Sequence, residues 1–246
     1  MPRTRKATLG ALGATLCATA LVGTAGTAHA QDDNGVAKKS ATDIANRAVS
    51  AFNDARSLHV TTERTGSGLS RTDVTSLDVS ADRDNNCVGT VGFAADGGSL
   101  EVIRHADKMW VKANAEWLRN NLPSDQSKDV QKLEGKFLQG TAQDKGLSDL
   151  ARLCSINEFR DTLKDATSLG NLKKGSETTA DGKPVIDVTS KHNGVDMTLS
   201  VSTQGKPFPV RATSKGDGDS QTTNFTFDQP VPDKTPPAGE TVPWGG

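Results

Sequence analysis

The stretch "IDVTSKHNGVDMTLSVS", residues 186–202, alternates apolar and polar residues on both sides of an Asn-Gly pair. A period of two is typical of a strand with one buried face, and Asn-Gly favours a two-residue hairpin turn. This turn predicts the cross-strand pairs Ile186–Val201, Val188–Leu199 and Ser190–Met197. The chain must therefore contain an antiparallel sheet with one apolar and one polar face.

The same alternation continues through two further predicted turns, Gln204-Gly205 and "KGDGDS". Counting outward from them predicts the pairs Val201–Phe208, Leu199–Val210, Met197–Ala212, Ala212–Phe225 and Val210–Phe227. The apolar face then gathers Ile186, Val188, Met197, Leu199, Val201, Phe208, Val210, Phe225 and Phe227. A face of this size has to be covered, either by the rest of the protein or by a hydrophobic ligand.

A helix before the strands is one candidate cover. In "SATDIANRAVSAFNDARS", Ser40 is a capping residue with Asp43 three positions later. The apolar residues that follow have helical spacing and share one face: Ile44, Ala48, Val49, Phe52 and Ala55. The pattern predicts an amphipathic helix, and it fits equally a helix that fills the core and a lid over a cavity.

The middle of the chain predicts more strands and then short helices. Strand patterns occupy 58–64, 71–81, 87–94, 99–105 and 108–112. A turn at Ala106-Asp107 predicts the pairs Val102–Val111, Ile103–Trp110 and Glu101–Lys112. Helical spacing follows in "NAEWLRNN", "SKDVQKLEGKFLQG", "GLSDLARLC" and "SINEFRDTLKDA", the last with a capping box at Ser155 and Glu158.

Two cysteines, Cys87 and Cys154, remain once Cys17 of the leader is set aside. In an oxidising compartment an even pair favours a disulfide, which would tie the helical middle to the strand at Cys87. A thiol redox pair and half of a metal site are the alternatives. A redox pair usually lies closer in sequence, and His59, His105 and His192 do not have ligand spacing.

The first thirty residues have the features of a signal peptide. A basic start is followed by a weakly apolar stretch and by Ala28-His29-Ala30, which predicts cleavage between Ala30 and Gln31 and an exported protein. The apolar stretch is too short for a membrane span, and Cys17 lacks the preceding residues of a lipidation site. We therefore expect no permanent membrane anchor.

Composition and motifs narrow the functional classes. With 29 basic and 30 acidic residues the net charge is −1, and the basic pairs are isolated, so no nucleic-acid binding is predicted. The sequence contains no G-x-S-x-G, H-E-x-x-H, P-loop or dinucleotide motif. We therefore expect no enzyme, no catalytic residue, no cofactor and no metal.

Five segments carry a resemblance to known proteins: "CVGTVGFAADGGSLEVIRHADKMWVKANAEWLRNN", "KFLQGT", "LARLCSINEFRDTL", "DGKPVIDVTS" and "VSTQGKPFPVRATS". Together they resemble a family of actinobacterial exported proteins and lipoproteins with a LolA-like, LppX/LprG-like architecture. The resemblance covers most of residues 40–238. It implies an α+β fold, a strongly curved antiparallel sheet forming an incomplete barrel, with helices covering the concave face.

The resemblance also implies a function. An apolar cavity between sheet and helices would bind a lipid or another acyl-chain ligand. Its walls would be the apolar sheet residues given above, with Ile44, Val49 and Phe52 of the first helix covering one side. The alternative is a structural or interaction module of the cell envelope, with a filled core, no ligand and an unknown protein partner.

These patterns divide the chain into four parts: a cleaved signal peptide, a flexible segment, the half-barrel domain and a tail, at 1–30, 31–39, 40–230 and 231–246. The tail, "VPDKTPPAGETVPWGG", is rich in Pro and Gly and is expected to be extended.

Overall fold

The computed structural model describes residues 32–122, 129–168 and 170–244. This part of the chain forms one curved sheet of 12 strands with helices on its concave face. The strands are β1 Ser57–Gly66, β2 Val74–Asp82, β3 Cys87–Phe93, β4 Ser99–His105, β5 Lys108–Ala113, β6 Phe137–Thr141, β7 Lys173–Ala180, β8 Lys183–His192, β9 Val195–Ser202, β10 Pro209–Gly216, β11 Asp219–Phe227 and β12 Thr241–Pro243. The helices are α1 Ala41–Asp54, α2 Ala115–Asn121, α3 Val130–Leu133, α4 Ser148–Leu153 and α5 Ile156–Ser168.

The sheet consists of two meanders joined side by side. Its strand order is β12-β6-β5-β4-β3-β2-β1-β11-β10-β9-β8-β7, so β1 and β11 are the neighbours that connect the halves. The pairs are antiparallel except β12 with β6. The predicted α+β incomplete barrel with helices on its concave face is confirmed.

The elements before residue 115 confirm the sequence prediction closely. The Ser40 side chain caps α1 by accepting a hydrogen bond from the backbone N–H of Asp43. The β4–β5 hairpin has the predicted pairs Val102–Val111, Ile103–Trp110 and Glu101–Lys112. Residues 71–73, predicted as strand, form a turn instead: the Asp73 carboxylate accepts hydrogen bonds from Ser70 and ends the loop before β2.

The hairpins of the second half agree with the prediction in one case of three. All predicted β8–β9 pairs are present. Between β9 and β10, however, Val201 lies opposite Pro209 rather than Phe208, and Leu199 lies opposite Ala212 rather than Val210. Between β10 and β11, Ala212 pairs with Thr223, two residues short of the predicted Phe225.

A β-bulge accounts for part of the first difference and for one error of face, whereas the turn already offsets the pairing by one residue, so that Val201 meets Pro209. The register shifts between Pro209 and Arg211, so Val210 occupies the irregular position. Val210 is buried with Ala180 and Val185 in a small cluster apart from the main core. Because Val185 precedes the inward Ile186 on β8, this cluster lies on the convex side, and the prediction for Val210 is wrong.

Three strands have no counterpart in the sequence prediction. Phe137–Thr141, predicted as helix in "SKDVQKLEGKFLQG", pairs with β5 as β6. Lys173–Ala180 forms the edge strand β7, whose residues before Ala180 are all exposed and therefore show no apolar alternation. In the tail, Thr241–Pro243 adds β12 in parallel to β6.

Both ends of the described chain are packed against the sheet. The segment 32–39, expected to be flexible, forms a bridge from Asp33 to Gln204 and buries Val36. In the tail, the Trp244 indole N–H donates to the carbonyl oxygen of Lys145 at 3.1 Å. The predicted cleavage site at Ala30 and Gln31 lies outside the described residues, within which no helix is long and apolar enough to cross a membrane.

The predicted disulfide between Cys87 and Cys154 is present, with the two Cα atoms 5.5 Å apart. Cys87 begins β3 and Cys154 follows the last residue of α4, so the bond ties the helical middle to the sheet. The nearby Arg104 guanidinium donates to the carbonyl oxygens of Ala106 and Ala151. Burial of this guanidinium lowers the pKa of Arg104.

Candidate functional site

The concave face of the second half is divided between two helices. At one end α1 packs directly on the sheet and fills the space. Ile44 and Phe52 of α1 are 0% and 1% exposed, and the Phe52 ring meets that of Phe227 edge to face at 4.9 Å between centroids. This end is solid protein core.

At the other end the sheet and α5 line a cavity of about 450 Å³ that is partly open to solvent. Its roof consists of α5 side chains and Leu172, which follows the helix. The α5 residues recur at helical spacing along one face, and they are Phe159, Thr162, Leu163, Ala166 and Thr167. The cavity has the volume of a small-molecule binding site, about 300–1,000 Å³ in known proteins.

The floor of the cavity is formed by two rows of side chains that cross the sheet along paired residues. We call the row nearer to α1 the middle row. Its members are Val188, Leu199, Ala212, Thr223, Thr62 and Leu77, each opposite the next. The Thr62 and Thr223 hydroxyls are hydrogen-bonded to each other at 3.0 Å, so the centre of the row is satisfied internally.

The row farther from α1, which we call the outer row, is mostly polar. It runs through Ser190, Met197, Ser214, Gln221 and Arg64, again opposite one another in turn. All members of both rows line the cavity. Polarity therefore increases across the floor from the α1 end to the outer row.

Arg64 is held by two carboxylates at the polar end. Its Nε and Nη2 atoms donate to Asp219 Oδ2 at 2.9 and 2.6 Å, and Nη1 lies 3.7 Å from Asp73 Oδ1. The hydrogen bonds from Arg64 to Asp219 raise the pKa of the guanidinium. Hydrogen bonds from Ser70 lower the pKa of Asp73. At neutral pH one positive charge therefore faces two negative charges.

The residues predicted from the sequence divide between cavity, core and convex side. Val188, Met197, Leu199 and Phe225 line the cavity. The others that face inward belong to the packed core around α1, and they are Ile44, Val49, Phe52, Ile186, Val201, Phe208 and Phe227. Val210 lies on the convex side, as described above. Ligand binding by any of these residues stays a prediction.

Sequence reasoning missed the roof and the polar part of the floor. The signal for the roof was present, because Phe159, Leu163 and Ala166 follow the spacing of one helix face. The signal for the floor was the same alternation that identified Phe225, continued two and four residues back to Thr223 and Gln221. Neither pattern reveals which helix covers which end of the sheet.

No protein-family model matches this chain, and no curated protein matches its sequence. Solved structures do resemble it. The lipoprotein LppX of Mycobacterium tuberculosis has a TM-score of 0.51 at 16% sequence identity, covering 78% of this chain and 97% of LppX. LprF of Mycobacterium bovis has a TM-score of 0.56 at 14% identity, covering 80% of this chain and 96% of LprF.

A LolA superfamily protein from Nitrosomonas europaea matches at 12% identity over 80% of this chain and 96% of its own, with a TM-score of 0.27 that is too low to bear on the fold. The likeness to LppX and LprF shows that this chain has the fold of these two lipoproteins, in line with the LppX-like architecture that the sequence resembles. At these sequence identities it shows the fold alone.

Proposed function

We propose that this chain is an exported, non-catalytic protein of the cell envelope that binds a lipid-like ligand between its curved sheet and α5. The observation that carries the proposal is the cavity of about 450 Å³, which the protein's own side chains leave unfilled. Burial of an alkyl chain there would contribute about 0.8 kcal/mol per methylene group. A binding site of this kind needs no charged residue at its centre.

The chemistry of the cavity wall supports a binding role over a catalytic one. Of the described residues that line it, none is His, Cys, Asp, Glu or Lys, so the lining offers no general base that would activate its serine and threonine hydroxyls as nucleophiles. Its polar members are hydroxyls, one amide and the paired guanidinium of Arg64. Leu163 and Leu199, both buried, provide apolar surface on opposite walls.

The proposal is tested by filling the cavity. Ala212 lies in the centre of the middle row, so Ala212→Trp places a large side chain in the space that an alkyl chain would occupy. We expect this variant to bind a neutral, environment-sensitive naphthylamine dye at least about tenfold more weakly than the unmodified protein. The measurement is a fluorescence titration, with the urea unfolding midpoint recorded for each protein.

The matched control is Thr222→Trp, which adds the same side chain to the opposite face of the neighbouring strand β11. It should leave dye binding unchanged. Equal dye binding by the unmodified protein and by folded Ala212→Trp would show that the cavity is not a ligand site.

A further inference from the structure

The polarity of the cavity floor changes in one direction only. Beneath α1 the inward residues are apolar, as at Val201 and Phe227. The middle row mixes aliphatic side chains with threonines, and the outer row is polar apart from Met197. A ligand that is apolar throughout would make no use of the hydrogen-bonding groups of the outer row, whereas a polar head could bind to them.

We infer that the cavity is built for an amphiphile with a single alkyl chain, whose chain points towards α1 and whose uncharged, hydroxyl-bearing head contacts the outer row. This inference rests on the proposed function and goes further by assigning an orientation and a class of head group. The volume of about 450 Å³ lies in the lower half of the range for small-molecule sites, which favours one chain over several.

The outer row provides hydrogen-bonding groups suited to a hydroxyl-bearing head. Ser190 and Ser214 can each donate and accept, and the Gln221 amide offers both kinds of group in one side chain. Gln221 lies directly between Ser214 and Arg64 along the row. Its present contact is a long hydrogen bond of 3.4 Å to the Thr223 hydroxyl, so the amide is available to a ligand at little cost.

The charges at the polar end disfavour an anionic head. Arg64 is the cation of the outer row, and its Nε and Nη2 donors are already directed at Asp219. Asp73 approaches the third nitrogen, so the local charge is negative rather than positive. A carboxylate placed beside this group would meet two carboxylates for one guanidinium and lose its hydration as well.

The inference is tested with ligands that share one hexadecyl-length chain and differ only in the head. The three competitors are monopalmitoylglycerol, palmitate at a pH where it is ionised, and hexadecylammonium. Each is titrated into the purified protein to displace the neutral naphthylamine dye. We expect monopalmitoylglycerol to displace the dye at about tenfold lower concentration than either charged competitor. The ammonium head would lose its hydration without gaining a free counter-ion, because Asp219 is already engaged by Arg64 and Asp73 by Ser70.

The Gln221→Leu variant tests whether the head group of the ligand contacts the outer row. It removes the amide and keeps a side chain of similar size, so we expect a loss of about three- to tenfold in affinity for monopalmitoylglycerol alone. The dye and palmitate should bind as before. Thr222→Val, which changes the next residue on the opposite face of β11, is the matched control and should change none of the affinities.

The outcomes separate the inference from the proposed function. If the protein binds the dye but palmitate or hexadecylammonium displaces it as well as monopalmitoylglycerol does, or better, the inference of an uncharged head is wrong. The proposed lipid-binding function would be unaffected by that result. An equal loss for all ligands in Gln221→Leu would overturn the placement of the head at the outer row. Absence of any dye or ligand binding to the unmodified protein would overturn the inference and the proposed function together.

Discussion

Phe52 joins α1 to the sheet through two aromatic contacts. Its ring meets Phe227 at 4.9 Å and Phe225 at 6.4 Å between centroids, both edge to face. Phe208 stacks face to face on Phe227, with 4.3 Å between the ring centroids. These rings close the α1 end of the concave face, so the cavity begins only beyond them.

Truncation of the Phe52 side chain tests how tightly α1 packs on the sheet. We expect Phe52→Ala to lower the free energy of unfolding by about 3–5 kcal/mol, because a side chain that is 1% exposed leaves a cavity behind. Ser50→Ala on the exposed side of α1 should change it by less than about 0.5 kcal/mol. Urea unfolding measures both. A loss below about 1 kcal/mol for Phe52→Ala would mean that α1 packs loosely on the sheet.

The side of the sheet on which Val210 lies could not be predicted from the sequence. Strict alternation places it on the concave face beside Phe208, but the bulge between Pro209 and Arg211 turns it to the convex side. A bulge inserts one residue into the pairing and leaves the residue types unchanged. The pattern of apolar residues therefore predicts the strand correctly and the side of this one residue wrongly.

At the scale of elements, the apolar faces could be predicted better than the registers. Ala212 pairs with Thr223 rather than Phe225, yet Phe225 still faces inward because the slip is two residues. A slip of two preserves the face, whereas a slip of one reverses it. The turns, by contrast, are predicted only from their Gly and Asp content, and several turn geometries fit "KGDGDS" equally.

The strands at the two edges of the sheet, β7 and β12, and β6 beside β12 could not be predicted. The residues of β7 before Ala180 are exposed on both faces, so its sequence has no alternation of apolar and polar residues. β12 consists of three residues, too few for a periodic pattern. β6 is short and only three residues separate it from α3, so its apolar residues continue the helical spacing of the segment before it. In each case neighbouring strands determine the structure through backbone hydrogen bonds.

The disulfide links the helical middle to the sheet across a separation of 67 residues. Replacing both cysteines by alanine should lower the free energy of unfolding by about 4 kcal/mol, because the unfolded chain regains the freedom that the closed loop removes. Urea unfolding measures the change, and reduction of the unmodified protein should reproduce it. Loss of the disulfide should also accelerate amide hydrogen exchange in α4 more than in β8 and β9. A loss below about 1 kcal/mol would contradict the structural role.

At the scale of the whole molecule, α1 and α5 cover the same curved sheet, but only α1 fills the space beneath it. α1 fills its end with large side chains, whereas α5 crosses the other end on Phe159, Leu163 and Ala166 and leaves the cavity beneath them. The sequence predicted the apolar stripe that both helices cover. It could not predict the division, since the height of a helix above a sheet depends on packing between residues far apart in sequence.

The central claim is that this space holds a lipid-like ligand. The most direct test is native mass spectrometry of the full chain, purified without detergent from a host that exports it, beside the Ala212→Trp variant. We expect the unmodified protein to carry an additional mass that organic solvent extracts as an alkyl-chain compound, and the variant to carry none. Bare polypeptide in both samples, or the same bound mass in both, would contradict the claim.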